Sequence, residues 1–445
     1  MKKTTKVTAF ILALVMVLSM TACQPSEPSE SKATGAPTSA PTEGAEEPVV
    51  IEFWHQQQLT TGGPALTAMV EEFNANNGKG ITVKEVTYAN YSELMTGMQA
   101  ALAGNNAPAL AAINYANLNY IATNFPYVSP DDVVQKYFPD DADYLSNKYE
   151  QAILDLGVGI NGDLVGLPYG LSIPVMYYNL DILKEAGLDT ENLPTTWQEV
   201  RTYAETVVEK TDKYGLYIQM QSDTYAIIPI FYGAQVDNMY VSENGGYKAM
   251  FNTPKVIEVW TFFQEMYQNG AASFVSVNEG FAAFMGGDMA MCLTSSSGMI
   301  NFREAEINLQ TYYNPAWEGS DLAVCLGGNM LTMWSPDEAQ QKAAWEFAKF
   351  LLEPDNMGAF DTATGYVPPT TDVTGAEWGM MDNPLMKRVI DEKSAARPWT
   401  SWPGTSGAQI DQVLVKLRDK ICVDFLDVAT VVADTEAEIN ELLGN

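Results

Sequence analysis

A two-lobed α/β protein is predicted, and three observations predict it. Apolar strand-like runs alternate with helical patterns of about 10–15 residues, which is the signature of βαβ units. The chain has 445 residues, 47% of them hydrophobic, enough for two domains that each bury a core. The stretch Asp163 to Asp189, DLVGLPYGLSIPVMYYNLDILKEAGLD, reads as a strand that leaves one lobe, enters another and feeds a helix. In it, apolar Ile173 to Tyr178 precede Asn179 and Asp181 as helix-start residues and Gly187 as the stop.

The N-terminus carries an address. Lys2, Lys3 and Lys6 form a positive region, Val7 to Val17 an apolar run too short to span a bilayer, and Met20-Thr21-Ala22-Cys23 a cleavage site. A cysteine directly after small residues resembles the lipobox of bacterial lipoproteins, although Met20 stands where Leu is more usual. That resemblance implies that residues 1–22 are removed and that Cys23 is diacylated, two chains being enough for stable anchoring. An ordinary secretory leader with an incidental cysteine is the alternative. Residues 23–48, rich in Pro, Ser, Thr, Glu and Ala, hold no large apolar side chain and read as a disordered tether spanning roughly 25–30 Å. No later run of 18 apolar residues follows.

Charge excludes one class of partner. Lys and Arg number 24 against 56 Asp and Glu, and losing a leader with three lysines takes the balance from −32 to −35. Such a field repels nucleic acid and anionic headgroups. Its plainest role is a soluble surface.

The first lobe opens on the strand Val49 to Trp54, followed by a helix from Pro64 to Asn77 with Leu66, Met69, Val70 and Phe73 on one face. A second cycle has a strand at Ile81 and Val83, a helix from Tyr91 to Gly104 and a strand from Ala107 to Ile113. A largely parallel sheet follows from this alternation, with ligands expected at the carboxyl ends of its strands, His55-Gln56-Gln57 and Asn114-Tyr115.

Beyond the crossing, Thr196-Trp197-Gln198-Glu199 is a capping box, and Thr253 caps a helix with Pro254 at its first position and Gly270 at its end. Phe281 to Leu293 reads as a short helix and a strand that end in the loop Thr294 to Gly298. Ala323 to Met333 returns toward the first lobe. The helix after Asp337 is expected to stop at Glu353-Pro354.

Catalytic signatures fail one by one. His55 is the only histidine, with no Cys or acidic cluster at metal-ligand spacing around it, so it reads as a hydrogen-bonding side chain. Gly157 to Gly162 satisfies G-x-G-x-x-G, but a helix precedes it and a strand follows, the reverse of dinucleotide-binding order. Cys292, Cys325 and Cys422 read as buried small hydrophobes. A glycosidase carboxylate pair among the 56 acids stays open as the enzyme alternative. A repeat-built adhesin is a third class, and no repeats are seen.

The crossing GLPYG…YYNLDILKEAGL, the FAAFMGGDMAMCL segment and Thr364-Gly365-Tyr366-Val367-Pro368 resemble family 1 extracellular solute-binding proteins, the ligand-capturing lipoproteins of ABC sugar importers. The resemblance implies a periplasmic-binding-protein fold with three hinge crossings. Lobe one would comprise residues 49–168 and 329–365, and lobe two residues 169–328 and 366–445. It also implies no enzymatic activity, no cofactor and no metal. The protein would be a monomer at the outer face of the bacterial cytoplasmic membrane that passes a small-molecule sugar to ABC permease subunits. Aromatics with polar neighbours gather at the expected lobe edges: Trp54 and His55 with Gln57, Tyr91, Asn114, Tyr115, Tyr169, Tyr366, Trp399 and Trp402. Flat faces beside hydrogen-bonding groups suit sugar rings.

Within that family, IEFWH, EEFNANN, AALAGNNAPAL, TSSSGMINFREAE and TGYVP are most similar to the glycerol-3-phosphate-binding members. The resemblance implies ligand contacts from Tyr91, Ser172, Ser296 or Ser297, Gly327 or Gly328, and Tyr366. Three positions depart. The family's acidic residue falls near Tyr115, its stacking tryptophan near Met220 with Tyr225 the nearest aromatic, and its phosphate-binding arginine at Pro403. Arg397 is the nearest replacement. A neutral mono- or oligosaccharide is therefore the expected ligand, with glycerol-3-phosphate or a glycerophosphodiester as the alternative.

Overall fold

The computed structural model describes residues 48–59, 62–220, 233, 236, 239–243, 245–373 and 384–444. The leader, Cys23, nearly all of the tether and Tyr225 lie outside the described residues. In chain order the strands are β1 (Val49–His55), β2 (Ile81–Thr87), β3 (Leu110–Asn114), β4 (Gly166–Ser172), β5 (Pro174–Asn179), β6 (Tyr214–Ile218) and β7 (Tyr240–Glu243). They continue with β8 (Gly246–Ala249), β9 (Ala272–Ser273), β10 (Met289–Ser295), β11 (Leu309–Tyr312), β12 (Val324–Cys325), β13 (Gly327–Met333) and β14 (Ala396–Arg397).

Two five-stranded sheets carry the two lobes, in the orders β2-β1-β3-β13-β4 and β11-β5-β10-β6-β9. Local alternation foretells the parallel part: β1 runs parallel to β2 and to β3. It does not foretell that β13 returns antiparallel between β3 and β4, so the sheet is mixed rather than largely parallel. The second sheet is mixed too, since β10 lies antiparallel to β5 and parallel to β6.

Each sheet is covered by the apolar faces that the sequence pattern marks. In the first lobe Phe53 and Phe73 meet Phe347 of the Glu338–Leu351 helix edge-on, at centroid distances of 5.4 and 5.0 Å. In the second, Trp197 meets Phe263 at 4.9 Å. The caps fall where the sequence puts them. Thr196 and Glu199 form a reciprocal capping box, the Val256 N–H donates to Thr253, and the Asp181 N–H donates to Asn179. Pro354 differs from its reading as a stop alone. It also occupies the first turn of a further helix, Pro354–Thr364, where its missing N–H costs nothing.

The passage from the first sheet to the second falls at Ile173, between β4 and β5; the chain rejoins the first sheet with β13, directly after β12, which pairs with β14 in a separate two-stranded sheet. Ser172 pairs with Gly327 in the first sheet while Pro174 pairs with Ser295 in the second, so the two sheets touch end to end there. The Gly365 backbone abuts the Ser296 carbonyl, and Val367 bridges to Leu171. Residues 370–372 stay on the first lobe, held by a bridge from Thr370 to Tyr149 and by the Lys148–Asp372 ion pair at 2.6 Å.

A buried clasp sits beside the Ile173 passage. Asn314 donates from its backbone N–H and from Nδ2 to the Glu392 carboxyl at 2.7 and 2.6 Å, and from Nδ2 to the Pro174 carbonyl at 2.7 Å. Burial raises Glu392 to about 7 from an ordinary 4.5, outweighing the Asn314 bonds that favour its ionised form. Between those two values the unfolded chain has released a proton that the folded chain keeps. The stability contributed by this raised carboxyl is therefore full below pH 4.5 and is lost as pH climbs to about 7. Melting midpoints recorded across that window are expected to fall for the wild type more steeply than for Glu392→Gln; parallel curves would contradict the raised titration.

Candidate functional site

A cavity of about 180 Å³ lies where the sheets meet, lined by Tyr91, Asn114, Tyr115, Ala116, Ser172, Gln219, Ser295, Gly327, Gly328 and Trp399. Strand ends build it. Asn114 closes β3 and Tyr115 follows, Ser172 ends β4, Ser295 ends β10, and Gln219 follows β6. Gly327 and Gly328 open β13.

The floor is a chain of hydroxyls. Ser172 Oγ and Ser295 Oγ are 2.7 Å apart, and behind them, outside the lining, Ser297 Oγ lies 2.9 Å from Ser295 Oγ. One wall is phenolic: Tyr91 OH accepts from Asn329 Nδ2 at 3.2 Å and also bonds Tyr366 and Gln56. Burial pushes Tyr91, Tyr115 and Tyr366 above the usual phenol range, so all three remain neutral hydroxyls. Gln219 is held by a bond from the Thr294 hydroxyl to its Oε1. Among the described residues lining this cavity none is charged.

An outer chamber of about 420 Å³ shares Tyr91, Asn114, Ala116 and Trp399 with the first and adds Gln99, Tyr120, Trp402, Asp411 and Gln412 among others. Trp399 faces both chambers and touches the cores of both lobes.

Of the residues singled out from the sequence, Tyr91, Asn114, Tyr115, Ser172, Gly328 and Trp399 converge on the inner cavity. Tyr366 and Gln57 stand one layer behind Tyr91, bonded to each other. Tyr169 is buried and stacks on Phe360 at 4.5 Å, away from the cavity lining. Ser296 and Ser297 do not line the cavity; their neighbour Ser295 does, because β10 ends with its side chain toward Ser172. Trp402 borders only the outer chamber and is 2% exposed.

His55 is part of the scaffold. The Gln57 N–H donates to His55 Nδ1 at 3.1 Å, so Nε2 carries the hydrogen that reaches Glu85 Oε1 at 2.7 Å. Burial raises the Glu85 carboxyl, but the His55 and Thr67 bonds outweigh it and hold the group below its ordinary range. Among the described residues no group of three His, Cys, Asp or Glu could hold a metal ion. Cys292, Cys325 and Cys422 are buried without a disulfide between them.

Sequence reasoning missed Gln219 and Ser295. The signal was available, since both sit at the carboxyl ends of strands, the rule that flagged Asn114. Arg397 lies in β14, its Nη1 donating to the Ala395 carbonyl at 3.3 Å and its own carbonyl accepting from Leu326 N at 2.9 Å. It is not among the residues lining either chamber.

Residues 68–387 match the family model described as bacterial extracellular solute-binding protein. The sn-glycerol-3-phosphate-binding periplasmic protein UgpB of Escherichia coli K12 is 26% identical over 347 residues, 72% of this chain and 74% of its own. Two solved structures share the fold. The cyclic alpha-maltosyl-1,6-maltose binding protein of Arthrobacter globiformis superposes with a TM-score of 0.74 at 22% identity, over 89% of this chain and 99% of that one. UgpB of Mycobacterium tuberculosis, in complex with glycerophosphocholine, superposes with a TM-score of 0.72 at 19% identity, over 90% and 99%. These relatives are binding proteins, not enzymes.

Proposed function

This chain belongs to the bacterial extracellular solute-binding proteins, and on that premise we propose that it captures a neutral mono- or oligosaccharide between its lobes and delivers it to the permease subunits of an ABC importer. The leader and Cys23 support a lipid anchor holding it at the outer face of the membrane, with residues 24–48 as the tether.

One observation carries the choice of ligand. The inner cavity offers hydroxyls, amides, two glycine backbones and aromatic faces, and among the described residues no charged side chain lines it. Sugar rings present apolar C–H faces and a rim of hydroxyls, which these groups match. A buried phosphate asks for charge-assisted bonds, and leaving it without them costs several kcal/mol. Proline stands at position 403, where the resemblance sets the phosphate arginine, and Arg397 is engaged elsewhere.

Kinship to UgpB favours a second reading, glycerol-3-phosphate or one of its diesters. A thermal-shift panel of neutral sugars and glycerol phosphates separates the two. Maltooligosaccharides or another neutral sugar are expected to raise the midpoint while glycerol-3-phosphate and glycerophosphocholine leave it unchanged; the opposite pattern overturns the carbohydrate reading.

Tyr91 and Trp399 are the aromatics lining both chambers, and Trp399 has the larger ring face to stack on a sugar. Trp399→Ala is expected to weaken sugar binding by roughly 1–3 kcal/mol, about fivefold to 150-fold. A dissociation constant within twofold of wild type would remove Trp399 from the ligand's surroundings.

A further inference from the structure

Beside the inner cavity, Asn119 and Asn124 of the first lobe reach segments of the second through side-chain hydrogen bonds. Asn119 belongs to the short helix Leu118–Asn124, whose Leu118 and Ile121 sit in the first lobe's core. Its Nδ2 donates to Tyr240 OH at 3.1 Å and to the Ser401 carbonyl at 2.9 Å, and its backbone N–H donates to Ser401 Oγ at 2.9 Å. Tyr240 packs on the second lobe's core, and Ser401 adjoins Trp402 within that core.

The network is saturated. Tyr240 OH accepts from Asn119 and donates to the Ser401 carbonyl at 2.9 Å. Ser401 Oγ accepts from Asn119 and donates to the Ala116 carbonyl at 2.8 Å. Asn119 Oδ1 accepts from the Ile160 N–H at 2.9 Å, a bond inside the first lobe that fixes which end of the amide faces Tyr240 and Ser401. One turn along, Asn124 Nδ2 donates to the Gly404 carbonyl at 2.9 Å. Burial pushes the Tyr240 phenol up to about 12, so its hydroxyl keeps its proton at physiological pH.

We propose that Asn119, Tyr240 and Ser401 form a latch that sets the ratio of closed to open protein without touching the ligand. Ala116 and Trp399 line the cavity, and the latch ties together the two chain segments that carry them. Swinging the lobes apart at the hinge therefore requires these bonds to break. Water replaces them, so the net gain is modest: about one kcal/mol for a neutral bond, which is roughly a fivefold shift in the ratio for each bond lost. Asn119 is thus a positioning residue for affinity. The proposal rests on the reading of a cleft that opens to admit solute, and not on which solute enters.

Asn119→Asp makes the sharpest test, because it keeps the shape and the acceptor for Ile160 but turns the donor toward Tyr240 and Ser401 into a carboxylate oxygen facing the Ser401 carbonyl. Tyr240→Phe is the second variant, keeping the ring against Trp402, 5.2 Å away, and losing only the hydroxyl. Small-angle scattering of the protein with no ligand added is compared across wild type and both variants, alongside melting curves. Each variant is expected to shift the population at least roughly fivefold toward the open form, seen as a larger radius of gyration and maximum dimension, while globularity and melting stay those of a folded protein. Profiles superimposable on wild type overturn the latch. A larger radius accompanied by lost globularity also overturns it, since it assigns these residues to folding instead. No ligand enters the experiment, so the result stands whether or not the solute proves to be a carbohydrate.

Discussion

Trp402→Ala is expected to cost the second lobe about 3–5 kcal/mol of stability, the range for removing a buried Trp or Phe side chain from a packed core. From the sequence, Trp402 counts among the cleft aromatics, and its loss would then weaken sugar binding by roughly 1–3 kcal/mol. Burial moves the effect. The side chain is 2% exposed and its ring stands 5.2 Å from Tyr240, within the core that also holds Ile410 and Leu414. Denaturant unfolding monitored by circular dichroism reads the difference. A wild-type midpoint together with weakened binding would return Trp402 to the ligand's side.

Gly328→Ala is expected to be at least as severe, costing more than about 3 kcal/mol and abolishing binding. The residue has φ +106°, where side chains with a Cβ are strained, and an added Cβ would sit 2.0 Å from the Gly170 carbonyl oxygen. That oxygen belongs to β4, which is buried along its whole length and cannot yield. Either β13 parts from β4 or the floor of the inner cavity shifts, since Gly327 and Gly328 line it. Soluble yield and unfolding midpoint are the measurements, and a variant as stable as wild type would show that the backbone relaxes there.

Local chemistry accounts for what was legible in advance. The capping residues Asn179, Thr196 and Thr253 act within three positions of themselves, so a linear reading finds them. The alternation from Val49 to Asn114 marks strands that do pair in parallel. Pairing across long separations was not legible: nothing in GGNMLTM states that it runs antiparallel between β3 and β4. The site divides in the same way. Strand-end polar residues such as Asn114 and Ser172 follow from a general rule. Whether Trp399 or Trp402 faces the cavity depends on a turn that two aromatics three positions apart do not reveal, and Ser295 lies one residue from the two serines that resemblance suggested. The Asn119 latch joins residues more than a hundred positions apart, beyond the reach of any spacing rule.

The charge on the ligand is the central claim, and calorimetric titration at low and high ionic strength tests it directly. With no charged side chain among the described residues lining the inner cavity, a neutral oligosaccharide such as maltotriose is expected to bind with a dissociation constant that hardly changes as salt rises. A phosphate ester would have to enter a protein of net charge −32 on local attraction alone, and its binding would weaken as salt screens that attraction. Salt-insensitive binding of a neutral sugar is the predicted result. Tight, salt-sensitive binding of glycerol-3-phosphate or glycerophosphocholine, with no neutral sugar bound, would contradict it.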